Sequence, residues 1–355
     1  MNIFADKHHG DLAYSLQLLF EKRLGGNVYF PIGMEWATEG YWQIHAPYNY
    51  SEETAKQYLD VRQAYVPKDG TPSLNTIAGF DDTAYWVEDT VHGVFHKAVT
   101  LEQFACMKID VIIASIPAHY HTFRKLRDTF HPKAKLVCHM GNMFVEMHEL
   151  LRNGTVQNLL ASTIDFPVPQ GVQAVFYHQE FDTNVYSYEP PKANRLIKSF
   201  VNCLKDTSDR QLWYDYKEAL PDLTFKMHGI LGDDGVINGA QNIAHAMKES
   251  MAIWHVKPGG DGYGHVLHTA AAIGRPLITR TSHYKGQLGE KLMVPDLTVI
   301  DLDRGGVGEN CQKIQKLMQP DVLQRMSDNM IERFRQVVNF EKDAERVKTF
   351  MEELV

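Results

Sequence analysis

Residues Trp254 to Thr279 read WHVKPGGDGYGHVLHTAAAIGRPLIT, and the reading of this stretch decides the fold. Glycines stand at Gly259, Gly260, Gly262 and Gly264, where they let the backbone take positive φ and approach a ligand closely. After them, Val266, Leu267, Ala270 and Ala271 follow helical spacing and face a core. Gly274 is a fitting helix terminator and Pro276 prevents continuation, so Leu277 to Thr279 reads as a buried strand. A helix N-terminus presents N–H groups and a partial positive charge, and a glycine loop leaves room for a phosphate there. His265 and His268 lie three apart on one helix face, and Asp261 sits in the loop seven residues before His268. The junction therefore offers amides to a diphosphate and polar side chains to sugar hydroxyls. Glycine-rich turns before helices also occur in chains that bind nothing, and His265 alone reads first as a surface histidine.

Working outward, the stretch sits in an α/β succession that begins at Arg195. Strands are expected at Leu196–Val201, Thr224–Met227 and Met251–Val256, with helices at Arg210–Leu220 and Asn242–Ser250. Residues 229–239 are a loop. A strand at Val299–Leu302 and helices at Ile314–Met318, Asp321–Val338 and Glu341–Leu354 follow. Strand and helix in alternation make a doubly wound domain.

The first half repeats the rhythm. Asn2–Ala5 is an apolar strand, and Leu12, Ser15, Leu16, Leu19 and Phe20 repeat at helical spacing up to Gly25-Gly26. Val28–Ile32 is the next strand, joined to the first by a right-handed crossover in a parallel sheet. His8, His9, Gly10 and Asp11 then lie at the carboxyl end of the first strand, where open α/β sheets bind ligands. Asp11 reads equally well as the cap of the helix. Asp110–Ile116, Lys135–Cys138, Leu159–Ile164 and Val172–Tyr177 are further strands, and His119–Phe130 is a helix. His139-Met140-Gly141-Asn142 is expected as the loop leaving the strand at 135–138, while His119 and His121 are weaker candidates at a neighbouring strand end. Residues 33–105, with Trp36, Trp42, Tyr85, Trp86 and several prolines, read as an irregular aromatic-rich excursion with short helices. Its aromatics fit a satellite core first and stacking on sugars or bases second. Pro190-Pro191 stiffens a linker between the halves.

Composition sets bounds. A chain of 355 residues is expected to form two domains. Hydrophobic residues at 44% and charged residues at 23% are ordinary for a globular protein in water. A net charge of −8 argues against broad nonspecific binding to nucleic acid. The N-terminal MNIFADKHHGD has no apolar targeting region, and no apolar run of membrane-spanning length occurs. Cys106, Cys138, Cys203 and Cys311 form no CxxC pair, so neither zinc nor a disulfide framework is indicated, and a cytoplasmic location is expected.

The stretch at 254–279 resembles the donor-site signature of the retaining "group 1" glycosyltransferases with the GT-B fold. Asp261-Gly262-Tyr263-Gly264 matches its acidic–Gly–aromatic–Gly part, and Ala270 to Pro276 matches its end. Asp261 stands where a glutamate is usual, and His268 stands where a second acid is usual. Strand 110–116 with the His139 loop, and the stretch His178 to Tyr186, resemble two further parts of the family; Gln179-Glu180 departs from its usual Asn-Gly turn. The resemblance implies two Rossmann-like α/β domains facing across a cleft. Residues 1–185 would form the acceptor-side domain, 186–340 the donor domain, and 341–355 a helix packing back on the first. It implies transfer of a sugar from a nucleotide-diphosphate sugar such as a UDP-sugar, with retention, to an unidentified acceptor: a saccharide, a small molecule or a modified DNA base. Asp261, His139 and Asp11 are the implied catalytic residues. Lys257, Gly260, Gly262, Tyr263, Gly264, His265, His268 and Thr269 are the implied donor contacts, and His8, His9 and Gly10 the phosphate or acceptor loop. The co-substrate is the only cofactor expected, and no metal is expected: Asp233-Asp234 is adjacent rather than an Asp-x-Asp pair. An inverting enzyme would need a base, for which His139, His9 or Asp11 would serve. A sugar-nucleotide epimerase, a DNA-modifying glycosyltransferase and a non-catalytic nucleotide-sugar-binding protein are the alternatives, since a fold does not fix a function.

Overall fold

A computed structural model of the chain describes residues 1–6, 10–31, 84–89, 91–115, 117–141, 145–163, 168–192, 194–202, 204–258 and 260–354. They form two compact units: Met1–Ser162 with Pro167–Glu180 and Phe340–Val355, and Thr163–Phe166 with Phe181–Asn339. Most of the aromatic-rich excursion and the pair His8-His9 lie outside the described residues.

The first unit begins with β1 (Asn2–Ala5), α1 (Gly10–Gln17), a π-helical turn (Leu18–Arg23) and β2 (Asn27–Pro31). It continues with β3 (Tyr85–Asp89), β4 (Val94–Val99), α2 (Leu101–Cys106), β5 (Val111–Ala114) and α3 (Pro117–Phe130). It then adds β6 (Lys135–Met140), α4 (Val145–Arg152), β7 (Asn158–Ala161) and β8 (Gln173–Phe176). The second unit runs β9 (Leu196–Ser199), α5 (Arg210–Ala219), β10 (Thr224–Met227), α6 (Ala240–Lys248), β11 (Ala252–Trp254) and α7 (His265–Ile273). It ends with β12 (Leu277–Thr279), β13 (Val299–Asp301), α8 (Val307–Lys316) and α9 (Pro320–Val337), and the last helix, α10 (Phe340–Glu353), belongs to the first unit.

In the first unit the sheet order is β3-β4-β2-β1-β5-β6-β7-β8, parallel except for the β3–β4 hairpin. Continuous apolar runs such as Val111–Ala114 are what a sheet covered on both faces demands. Ile3, Phe20, Phe30, Ile113, Val137 and Tyr177 share one core with Val347, Phe350 and Met351 of α10. Polar contacts fasten that helix as well: the backbone N–H and Nδ1 of His178 reach Asp343 Oδ2 at 3.0 and 2.8 Å.

One expectation is corrected here. The excursion was expected to be irregular as far as residue 105, but residues 84–89 and 91–106 hold an ordered edge hairpin and a capped helix. The hairpin turns at Gly93, whose φ is 68°, and leaves Trp86 and Phe95 exposed. Thr100 and Gln103 form a reciprocal capping box at the start of α2, a Thr-x-x-Gln signal visible in the sequence. Dense aromatics masked the period-2 alternation of Val94–Val99.

In the second unit all five strands are parallel, in the order β10-β9-β11-β12-β13. The first strand of this unit, β9, therefore has the second on one side and the third on the other. The connections leave it in opposite directions, and the loops at the carboxyl ends of β9 and β11 part there; open sheets bind ligands at such a point. Trp213, Tyr216, Phe225 and Trp254 pack edge to face beneath, Trp213 and Trp254 with ring centres 5.5 Å apart. The fully buried Arg275 donates from its two terminal nitrogens to the carbonyls of Glu189 and Lys248, both at 2.7 Å, and so ties the end of α6 to the turn before β12.

Gly274 ends α7 at φ 81°, and a Cβ there would lie 2.7 Å from Tyr188 Cδ2. Gly274→Ala is expected to destabilise the protein by about 1–3 kcal/mol through combined strain and overlap. A urea unfolding curve with an unchanged midpoint would show that neither constraint operates.

Candidate functional site

The chain leaves β11 through buried His255 and Val256, then reaches Lys257 and the glycine loop. Gly260 has φ 75°, and a Cβ on it would lie 2.2 Å from Gln287 Nε2 and 2.5 Å from the His283 carbonyl oxygen. Gly264 caps α7 at φ 78° without a side chain. Its carbonyl accepts from the His268 backbone N–H at 3.0 Å and from His268 Nδ1 at 2.9 Å. The Tyr263 ring stacks on the His268 ring, centres 4.0 Å apart and 13° from parallel. The Thr163 hydroxyl donates to the Gly262 carbonyl at 3.0 Å. The loop is thus shaped from below, and Gly260 and Gly262 keep part of their surface exposed.

Asp261 is the charged centre of this loop. Its Oδ2 accepts from His255 Nε2 at 2.5 Å and its Oδ1 from the Lys257 ammonium. Burial pushes the Asp261 carboxyl up, but His255 and Lys257 outweigh burial and hold it well below the usual carboxylate range. The neighbouring strand ends are polar too. Arg280, after β12, donates to Asp303 at 2.8 Å and to Asp209 at 3.2 Å, and Asp301 at the end of β13 accepts from the Thr281 hydroxyl at 2.7 Å. Three residues expected as donor contacts, Tyr263, His268 and Thr269, face inward. His268 is fully buried beneath Tyr263, and the Thr269 hydroxyl donates to the His265 carbonyl at 2.7 Å. Both, with Tyr263, build the loop; Lys257, Gly260, Asp261, Gly262 and His265 keep exposed surface. Buried at the fourth position of α7, His268 does not share an open face with His265, because its ring folds back to the helix's own capping carbonyl.

In the first unit His139 is not in a loop. The strand runs two residues further than expected, because His139 and Met140 pair with Leu160 and Ala161. The His139 ring is fully buried, with Nε2 at 3.0 Å from the Tyr177 hydroxyl and 3.3 Å from Ser162 Oγ. Burial pushes it down to about 3. Gly141 follows with room for the ring: a Cβ there would meet His139 Cε1 at 3.1 Å.

Gly10 is buried and opens α1, and Asp11 lies in its first turn. Asp11 Oδ1 is 3.0 Å from His92 Nε2; His92 Nδ1 is 2.9 Å from Asp89 Oδ2, which also meets His96 Nε2 at 3.0 Å. Two further polar residues escaped the sequence reading. Buried Asp6, the first residue after β1, accepts from the Ser115 backbone N–H at 3.0 Å and meets His119 Nδ1 at 2.5 Å. His255 was read only as part of a strand. The signal for both was their place directly after an apolar strand, where side chains reach the ligand edge.

Among solved structures the chain is similar to Anabaena HepE in complex with UDP and glucose, at a TM-score of 0.63 and 11% identity over 100% of both chains. It is similar to the pneumococcal O-GlcNAc transferase GtfA in complex with UDP and GlcNAc, at 0.59 and 11% over 100% of this chain and 99% of that one. It is also similar to an alpha-glucosyltransferase in complex with UDP-glucose and DNA containing an abasic site, at 0.60 and 11% over 99% of each. No protein-family model and no curated protein matches the chain by sequence. The chain has the fold of the GT-B glycosyltransferases.

The Asp11–His92–Asp89 contact makes stability depend on pH. Burial pushes the His92 ring down, but Asp11 and Asp89 outweigh burial and hold it up at about 9. The unfolded value is about 6.5, so this stabilisation is complete below about pH 6.5 and is lost as pH rises through the folded value. Unfolding free energy measured in urea from pH 6 to 10 is expected to fall over this window, with a shallower fall in His92→Gln. Equal slopes would place the titrating group elsewhere.

Proposed function

We propose that the chain is a glycosyltransferase whose donor is a nucleotide-diphosphate sugar with uridine diphosphate as the leaving group. One observation carries this reading: a glycine loop with Lys257 and Asp261 opens α7 at the topological switch point of a parallel sheet. The likeness to proteins solved with UDP, UDP-glucose or UDP and GlcNAc supports the choice of nucleotide. Charge that builds on the diphosphate as the glycosidic bond breaks is met by the amides around Gly262 to His265 and by Lys257. Asp261 takes a hydroxyl of the transferred sugar. Gly260 and Gly262 let the donor approach the backbone, and Tyr263, His268 and Thr269 keep the loop in shape.

In this reading the second unit is the donor domain and the first the acceptor side, through Gly10 and Asp11 at the start of α1. His139 contacts no substrate and orders the strand beneath. Retention follows the family that the donor loop resembles, and NMR of the product's anomeric proton tests it. No disulfide joins the described cysteines, which supports a reducing compartment such as the cytoplasm. No helix among the described residues is long and apolar enough to cross a membrane. A second reading, with a hydroxylated DNA base as acceptor, is favoured by the similar alpha-glucosyltransferase solved with DNA. Transfer of radiolabelled glucose to hydroxymethylated duplex DNA, against saccharide acceptors, separates the two.

UDP at a hundredfold excess over its dissociation constant is expected to stabilise the protein by about 2.7 kcal/mol, read as a rise in melting temperature. Lys257→Ala is expected to weaken UDP binding about tenfold, or about 1.4 kcal/mol. Asp261→Ala should abolish transfer with the fold intact, whereas His268→Ala, by removing the ring under Tyr263, should lower both affinity and melting temperature. No shift with UDP or any other nucleotide would remove the donor site from this loop.

Amides and a lysine neutralise the diphosphate in this reading, so transfer should persist in excess EDTA. Activity lost with chelator and restored by manganese or magnesium would overturn that assignment.

A further inference from the structure

The position of the His255 side chain, beside the donor loop, is set by the sheet rather than by the loop. Its backbone N–H donates to the Ile278 carbonyl at 2.9 Å, in line with the β11–β12 pairing. Its own carbonyl accepts from the Thr279 hydroxyl at 2.7 Å and the Tyr284 hydroxyl at 3.3 Å. Only 2% of the residue is exposed, and its Nδ1 has no hydrogen-bond partner among the described residues. Among these residues the ring's polar contact is the 2.5 Å bond from Nε2 to Asp261 Oδ2. A ring nitrogen facing a carboxylate donates, so this contact also sets the tautomer.

The second partner of Asp261 is of a different kind. Lys257 sits four residues earlier on a mobile four-carbon stem, with 38% of its side chain exposed against 11% for Asp261. A lysine head with this much exposure on a flexible stem exchanges its partner readily, whereas a buried ring fixed at both ends of its backbone does not. The Asp261 carboxylate engages the lysine that a diphosphate would claim.

We propose that His255 is the positioning residue of the donor site: it fixes Asp261 in place while Lys257 leaves that carboxylate for the donor's diphosphate. This rests on the assignment of the loop as a donor site. Donor binding then does two things at once. It transfers the lysine from an internal anion to an external one, and it uncovers an oxygen of Asp261 for the sugar. Asp261 stays ionised and oriented through the exchange because its other oxygen never loses the imidazole. A loose carboxylate would instead follow the lysine toward the phosphates and miss the sugar.

The test uses the full chain and three variants, with UDP affinity by calorimetry and transfer kinetics with UDP-glucose. In Asp261→Asn the internal competitor is gone, so UDP is expected to bind about threefold more tightly although transfer is lost. His255→Ala is expected to lower kcat by about a hundredfold with KM for the donor within about twofold of wild type, since misplacing a group by about 1 Å costs that much. In His255→Gln the amide N–H replaces the imidazole donor, and most of kcat should return. Melting temperatures of both His255 variants are compared, so that a loss of folding is not read as a loss of positioning. UDP affinity unchanged or weaker in Asp261→Asn, a wild-type kcat in His255→Ala, or a folded His255→Gln as slow as the alanine variant would each overturn the proposal. If UDP fails to bind the wild-type protein, the donor-site reading itself falls.

Discussion

The second unit depends on one reversal of backbone hand, at Gly264. A left-handed residue there lets the chain stop being loop and start being helix within a single peptide, with no side chain over the helix end. Everything around the junction serves that arrangement. His268 returns its ring to the Gly264 carbonyl, Tyr263 covers the ring, and from Leu267 to Ile273 every residue of α7 is buried. A helix so enclosed has only its first turn in reach of solvent, so its partial charge has one outlet. Arg275 performs the complementary task at the other end, where a buried guanidinium gathers carbonyls that would otherwise lack donors.

The same economy of polar groups appears at the first unit's own switch point. The first strand, β1, lies between β2 and β5, and the residue after it, Asp6, is buried against the backbone of Ser115 and the ring of His119. Burial pushes the Asp6 carboxyl up, yet His119 and Ser115 outweigh it and keep it below its usual range. The carboxylate thereby joins the loops that leave two adjacent strands. Farther along, Asp89 collects His92 and His96, and Asp11 of α1 completes the chain of contacts. Both clusters stabilise a sheet edge by pairing charges that hydrophobic packing cannot accommodate.

Much of this was legible in the sequence. Strands Asn2–Ala5, Thr224–Met227 and Leu277–Thr279 have the expected ends, because each is an apolar or alternating run closed by a polar or glycine-rich segment. The turn at Gly274 and the helix after Gly264 followed from residue type alone. The loop at 257–264 announced itself through glycines, whose backbone freedom is a local property. What was less legible has a common cause. His139 was read as a loop residue because strand ends depend on the neighbour available for pairing, and Leu160 and Ala161 are supplied from twenty residues away. The β3–β4 hairpin was hidden among aromatics, and it forms only because β2 is there to pair with β4.

By itself, then, the sequence determined the alternation of strand and helix, the division into two α/β successions and the place of the glycine loop, since these rest on periodicity and backbone permission within a few residues. Tertiary structure alone decided which side chains at that loop keep exposed surface and which are buried to hold it in shape. Spacing put His265 and His268 on one helical face, but only packing turned His268 under Tyr263 and left His265 partly exposed. No spacing rule pairs His255 with Asp261, because a strand end and a loop meet only after the chain has turned at Gly260. The physical reason is that hydrogen bonding of a buried polar group is settled by whatever donor or acceptor the fold brings within reach, and that partner is a property of three-dimensional position rather than of sequence distance.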